Sequence, residues 1–265
     1  MEPTLQAGRT DFSNNRIGTI PEPSRTTAVM KHWTILLFLG FTLSAIAQDE
    51  PLLAGMSAMR KADHAAAAVA LDKAVAEAPN NAKTWYYRAV NKMALGDNDG
   101  ALRDLDHLLT MEPRDVHAML RRAEVHAVLG DKEKATTDLY RVVGTHANGP
   151  ATEQALSELG HMAMAAQDIP GALGHYDHLV EIAGYNAMAW CDRGIARSIA
   201  HDDDRAIADL EKAIDLDPTL DKAYGALAVL YFRQGRKQEG CYALQQARDL
   251  GDRSVDELLL LRCDQ

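Results

Sequence analysis

An interval of about 34 residues recurs along this 265-residue chain and constrains its fold more than any other feature. Pro79 and Pro113 mark one such interval, and between them stand an early tryptophan, small residues and a large apolar residue. The same order returns at Trp190 and closes at Pro218. From Pro113 to Pro218 the chain covers three intervals with three residues to spare. Self-similarity at this period indicates a tandem array of short structural units.

The interval divides the chain into six units. They lie near 48–81, 82–115, 116–152, 153–186, 187–220 and 221–252. Each unit has one small residue at the same place: Ala67, Ala101, Ala135, Ala172, Ala206 and Gly240. A large apolar residue follows four positions later in every unit, and apolar residues at this spacing predict two antiparallel helices per unit.

Roughly residues 51 to 252 resemble the tetratricopeptide repeat (TPR) family. The second unit carries the resemblance on Trp85, Ala89, Gly96, Ala101, Leu105 and Pro113, and the fifth on Trp190, Gly194, Ala206, Leu210, Ala213 and Pro218. The resemblance implies an all-α fold, a right-handed α-solenoid of about six helix-turn-helix units. Residues 253–265, with four consecutive leucines, are predicted to form a capping helix over the last unit.

Two cysteines bracket that end of the chain. Cys241 opens the second helix of unit six and Cys263 closes the capping helix, and the two ends meet if the helices are antiparallel. The segment also resembles the terminus of many exported bacterial TPR proteins. We predict a disulfide, which an oxidising compartment would allow; two buried free thiols are the alternative.

Units two, three and five share a charged pair at one constant spacing. The pairs are Arg88 with Asp104, Arg122 with Asp138, and Arg193 with Asp209. Units one, four and six have neither the arginine nor the aspartate at those places. Because the two residues occur together or not at all, we interpret them as structural salt bridges within or between neighbouring units.

Residues 30–47 have the layout of a secretory signal peptide: a positive start, an uncharged apolar run and a small-residue exit at Ala45-Ile46-Ala47. The apolar run from Trp33 to Ala47 is shorter than the roughly 20 residues that span a membrane. We predict cleavage after Ala47 and export to the periplasm or outside the cell. An uncleaved anchor and a chance apolar stretch in a cytoplasmic protein are the alternatives. Residues 1–29 are either a disordered extension or the product of a start site assigned too far upstream.

The net charge of −10, without a run of five basic residues, argues against binding to nucleic acid or to anionic lipid. No phosphate loop, catalytic triad order or paired-carboxylate pattern is present, so we predict no enzyme and no cofactor. His161, His175 and His178 have a hint of metal-ligand spacing, but zinc takes three or four converging ligands. We predict no metal.

The TPR resemblance implies a groove, lined by the first helix of each unit, that binds a peptide or a partner helix. Aligning each unit with the family's repeat predicts that the groove is lined by Lys83, Tyr86, Tyr87, Val90, Leu120, Arg121, Glu124, His161, Cys191 and Ile195. Tyr86 and Tyr87 stand out because such side chains are favoured at interfaces, although one of them has unit one as an alternative packing partner. A protein-interaction scaffold is the predicted function, and a self-associating structural component is the alternative.

Overall fold

The computed structural model describes residues 50–145 and 148–263, and within them the chain forms helices and no strand. The α-helices are α1 (50–60), α2 (His64–Glu77), α3 (Ala82–Ala94), α4 (Asn98–Met111), α5 (Val116–Val128), α6 (Lys132–Val143), α7 (Pro150–Ala165), α8 (Ile169–Ile182), α9 (Ala187–Ile199), α10 (Asp203–Leu216), α11 (Asp221–Arg233), α12 (Lys237–Asp249) and α13 (Asp256–Arg262). A short 3-10 helix, Arg253–Val255, precedes α13. The predicted extension at 1–29 and signal peptide at 30–47 lie outside the described residues.

The helices pair in chain order, α1 with α2 through α11 with α12, and α13 packs on α12. We call α1, α3, α5, α7, α9 and α11 the first helices, and their partners the second helices. Each pair also packs on the next, and neighbouring first helices contact each other at α3–α5, α5–α7 and α9–α11. The prediction of an all-α solenoid is confirmed.

Local sequence explains where the helices begin and end. Asn81 and Asp115 precede first helices, and each side chain accepts a hydrogen bond from a backbone N–H of the first turn. Gly96 and Gly130 follow first helices with φ of 78° and 81°, a conformation that glycine adopts without a steric penalty. The three extra residues near 150 lengthen α7, which begins at Pro150 and has 16 residues.

The buried core forms where a small residue of one helix meets a large residue of its partner. Ala89 and Leu105 are both fully buried in unit two. Unit four departs from this pattern because it has Tyr176 where the other units have leucine. Tyr176 is 1% exposed, and a Cβ atom on Gly160 would lie only 2.3 Å from its ring. Glycine at 160 therefore makes room for the larger side chain.

The predicted charged pairs tie three helices together. In unit two, Arg88 on α3 donates from Nε and Nη2 to both carboxylate oxygens of Asp104 on α4, at 2.8 and 2.7 Å. Its Nη1 also donates to Asp72 on α2, in the preceding unit, at 3.1 Å. Each arginine thus joins its own second helix to the second helix of the unit before it.

The other two pairs repeat this geometry. Arg122 donates twice to Asp138, at 2.7 Å each, and once to Asp106 at 2.7 Å. Arg193 donates twice to Asp209, at 2.8 Å each, and once to Asp177 at 3.0 Å. The inter-unit acceptors Asp72, Asp106 and Asp177 were missed by the sequence analysis, although each precedes its arginine by one constant spacing. Ion pairs that repeat in register hold successive units at a constant distance.

The C-terminal end is covered by α13 and by a disulfide between Cys241 and Cys263, whose Cα atoms are 5.6 Å apart. Of the four leucines, Leu259 is buried, while Leu260 and Leu261 are 64% and 56% exposed. The capping helix thus covers the core of unit six and leaves two large apolar side chains in solvent. Among the described helices, none has the length and apolar character needed to cross a membrane.

Candidate functional site

Side chains of the first helices form two hydrogen-bonded clusters on one side of the array, and we call this side the first-helix face. On α5, Nη1 of Arg121 donates to both carboxylate oxygens of Glu124, at 2.9 and 2.7 Å. Gln154 of α7 donates to Glu124 at 3.1 Å. The pKa of Arg121 is raised, chiefly by its hydrogen bond to Tyr86 of α3 and also by Glu124. These hydrogen bonds connect α5 and α7.

A second, separate cluster lies on α7, α9 and α11. Nε2 of His161 is 2.9 Å from Oδ2 of Asp192, and Nζ of Lys222 donates to Oδ1 of Asp192 at 2.8 Å. The side chain of Asp192 is 4% exposed, whereas those of His161 and Lys222 are 49% and 50% exposed. A buried carboxylate thus holds two basic side chains at the surface of the face.

These contacts alter the pKa of His161 and of Asp192. The hydrogen bond to Asp192 raises the pKa of His161 above 6.5, although burial and the charge of Lys222 oppose this. Burial disfavours ionisation of Asp192, but hydrogen bonds from His161 and Lys222 outweigh it and hold the pKa below 3.8. Asp192 is therefore a carboxylate at neutral pH.

Exposed apolar side chains lie on the same helices, beside these hydrogen-bonded clusters. Val128 follows Glu124 by one turn and is 72% exposed; Val229 follows Lys222 by two turns and is 49% exposed. Met188 and Ile199 of α9 are 42% and 50% exposed. Because residues separated by whole turns share one side of a helix, the first-helix face presents apolar and hydrogen-bonding groups side by side.

Two residues predicted to line the groove are buried, and their assignment is wrong. Leu120 is 4% exposed and packs in the core of units two to four, while Cys191 is fully buried in the core of units five and six. Burial also raises the pKa of the Cys191 thiol to about 12. A partner cannot contact either side chain, and Cys191 has no nucleophilic form at neutral pH.

The other predicted groove residues stay at or near the surface. Tyr87 packs against the core of unit one, while Tyr86 packs against units two to four, with the two rings 5.5 Å apart. Lys83 is exposed, and Val90 and Ile195 are half-buried. Tyr87 therefore joins unit one to unit two, which was the alternative considered for one of this pair.

The three histidines do not converge. His161 contacts Asp192, whereas Nε2 of His175 lies 3.3 Å from the hydroxyl of Tyr140 on α6. Within residues 50–145 and 148–263, no group of three His, Cys, Asp or Glu side chains is arranged to hold a metal ion.

Three residues of the face were not predicted from the sequence: Gln154, Asp192 and Lys222. Lys222 and Gln154 are each the second residue of a unit, the same place that Lys83 has in unit two, where it was predicted to line the groove. Asp192 had no signal of its own, because a single carboxylate in a first helix is ordinary. Only the fold brings it against His161 and Lys222.

Comparison with known proteins agrees with this architecture. A family model for the tetratricopeptide repeat matches residues 88–150. Among solved structures, Pseudomonas aeruginosa PilF superposes with a TM-score of 0.67 at 13% identity, covering 80% of this chain and 95% of PilF. YrrB, a TPR protein with an unusual peptide-binding site, superposes with a TM-score of 0.58 at 18% identity, covering 71% of this chain and 96% of YrrB. The family model thus identifies a tetratricopeptide repeat at residues 88–150, and the solved structures have the same fold.

Two curated relatives match a shorter part of the chain. The small glutamine-rich tetratricopeptide repeat-containing protein 2 of Saccharomyces cerevisiae is 28% identical over 109 residues, which are 41% of this chain and 32% of the yeast protein. The TPR and J domain-containing co-chaperone DNJ1 of Cryptococcus neoformans is 31% identical over 109 residues, 41% of this chain and 20% of DNJ1. The chain thus spans a third or less of the length of these relatives.

Proposed function

We propose that this protein is a non-enzymatic scaffold that binds a peptide or protein segment on its first-helix face. TPR proteins generally mediate protein–protein interaction, and YrrB is described by a peptide-binding site. The observation that carries the proposal is the composition of the face itself. Exposed aliphatic side chains on α5, α9 and α11 alternate with hydrogen-bonding groups whose carboxylates are already neutralised by partners.

The bound segment would be largely apolar, with a few polar groups along it. Val128, Ile199 and Val229 supply apolar surface, and burying such side chains is the main source of binding free energy. Arg121 and Glu124 neutralise each other, as do Asp192 and Lys222, so the face carries little of the net charge of −10. A peptide segment with a high positive or a high negative charge would therefore gain little electrostatic binding free energy on this face.

The binding proposal is tested by selecting dodecapeptides on the wild-type protein from a random display library and measuring their Kd. Replacing both Ile199 and Val229 by glutamate places two charges in the apolar part of the face. We expect Kd to rise at least tenfold, about 1.4 kcal/mol or more.

The matched control for this test is Val69→Glu, because Val69 is 74% exposed on α2, a second helix. It should leave Kd unchanged. If both variants weaken peptide binding equally, or if the double variant does not weaken it, the first-helix face is not the binding site. Failure to select any peptide, with a light-scattering mass above the monomer, would favour the self-association alternative, to which the exposed Leu260 and Leu261 lend support.

We further propose that the scaffold is exported and acts in the cell envelope or outside the cell. The signal-peptide layout of residues 30–47 and the pairing of Cys241 with Cys263 support this. Intact-mass measurement of the protein from its own cells is expected to find a chain that begins at Gln48. A chain that retains residues 30–47 would contradict cleavage.

A further inference from the structure

His161, Asp192 and Lys222 come from three successive units and meet at one point. Asp192 of α9 is the shared acceptor, with His161 of α7 on one side and Lys222 of α11 on the other. The arginine pairs described above join second helices to one another through a first helix. This cluster instead links one first helix directly to the next, so it can change the first-helix face without breaking the arginine pairs.

Only one member of the cluster changes charge near neutral pH. Lys222 stays cationic and Asp192 stays anionic there, while histidine titrates in this range. With His161 protonated, Asp192 makes an ion pair on each side. With His161 neutral, the imidazole can still donate a hydrogen bond to the carboxylate, but the ion pair to α7 is lost. Protonation of His161 therefore adds the Coulomb attraction between the imidazolium and the carboxylate of Asp192, and deprotonation removes it.

The surroundings of His161 contain few competing charges. On α7 itself Glu158 lies three residues earlier, and on α8 the ring of Tyr176 lies 6.0 Å from the imidazole. From α9 and α11 the charged groups near the cluster are Asp192, Lys222 and Asp221. On α5, Arg121 and Glu124 pair with each other, and Glu124 contacts α7 at Gln154, two turns before His161. Within the part of the chain that the structure describes, Asp192 is thus the one charged group that contacts His161 directly.

We propose that His161, Asp192 and Lys222 form a proton-operated clasp that fastens α7, α9 and α11 together when His161 is protonated and loosens when it is not. The clasp controls how rigid the first-helix face is across units four to six. The clasp does not depend on what the face binds, so this proposal can be tested independently of the proposed function.

The direction of the pH dependence follows from the two shifted groups. Because the pKa of His161 is raised above 6.5 in the folded protein, its stabilisation is complete below pH 6.5 and is lost as pH rises through the folded pKa. Because the pKa of Asp192 is lowered from 3.8, its contribution is present above pH 3.8 and is lost in stronger acid. The clasp is therefore tightest between about pH 4 and 6.5.

The test is amide hydrogen exchange of the full chain at pH 5.5 and pH 8.0, corrected for intrinsic exchange rates. We expect protection in α9 and α11 to fall at least threefold at the higher pH, while protection in α3 and α4 changes less. In parallel, an NMR titration should give the His161 imidazole a pKa above that of free histidine. The His161 signal is identified by its absence from the spectrum of His161→Gln.

Variants separate the clasp from general effects of pH. His161→Gln and Asp192→Asn should each abolish the extra pH dependence of α9 and α11. His178→Gln is the matched control, because His178 is an exposed histidine on α8 outside the cluster, and it should leave that dependence intact. Protection that does not vary with pH in the wild type, or a dependence that survives His161→Gln, would overturn the proposal.

Discussion

Replacing Asp138 by alanine is expected to lower the free energy of unfolding by about 4 kcal/mol. Asp138 is 2% exposed and accepts two hydrogen bonds from Arg122 and one from Arg141. Removing the carboxylate leaves the guanidinium of Arg122, itself only 18% exposed, with one of its three hydrogen bonds to aspartate. Thermal and urea unfolding followed by circular dichroism would measure the loss.

The matched control is Asp106→Ala, which removes the exposed acceptor of the same arginine. The Asp106 side chain is 60% exposed, so its pair should contribute less than about 1 kcal/mol. Because Asp138 lies on a second helix, its replacement should leave the Kd of a selected peptide nearly unchanged. A large loss of affinity at unchanged stability would mean that the repeated pairs serve binding and not structure.

Removing the disulfide is expected to cost about 3 kcal/mol by the chain-entropy relation for the 22-residue separation of Cys241 and Cys263. The segment from 253 to 263 holds few buried side chains, chiefly Val255 and Leu259, so without the crosslink α13 should leave the end of unit six. We expect Cys241→Ala/Cys263→Ala to unfold at lower urea than the wild type and to expose the 253–263 amides to exchange.

Reductant supplies the control for this prediction. Dithiothreitol should destabilise the wild type to the level of the double variant and have no further effect on the variant itself. Thiol titration of the unfolded, unreduced wild type should find one thiol, from Cys191, and three after reduction. Three thiols before reduction, or equal stability of wild type and variant, would contradict the disulfide.

The repeat architecture could be predicted because each unit contains the same small and large residues at the same places. Ala101 and Leu105, or Ala206 and Leu210, are positions where two helices approach closely, and that requirement recurs with the period. Compensation within one unit was harder to foresee. Tyr176 departs from the frame, which has leucine at that place in the other units, and Gly160 opposite it leaves the space that its ring fills, as Gly194 does for Leu210.

The candidate site was only partly predictable. A first helix is contacted on several sides, by its own second helix, by the preceding one and by neighbouring first helices, so only a narrow strip remains exposed. One residue turns the helix by about 100°, which is enough to place Leu120 and Cys191 in the core while Arg121 and Asp192 next to them reach the face. The repeat period therefore predicts which helix a residue belongs to, but it does not predict which residues of that helix are exposed.

Contacts between units depend on which side chains of neighbouring helices are long enough to meet in the folded protein. Asp192 and Lys222 are 30 residues apart, and neither has a counterpart pair elsewhere in the frame. Asp72, Asp106 and Asp177 could have been found, since each precedes its arginine by the same spacing that separates the arginine from its second acceptor. A periodic contact leaves a periodic signal, and a contact made once does not.

Amide hydrogen exchange of the protein with and without a peptide selected on it tests the central claim most directly. The account predicts added protection in successive first helices, α5, α7, α9 and α11, with little change in α4, α6, α8 and α10. Protection confined to the second helices, or to α12 and α13 at the C-terminal end, would contradict a binding site on the first-helix face.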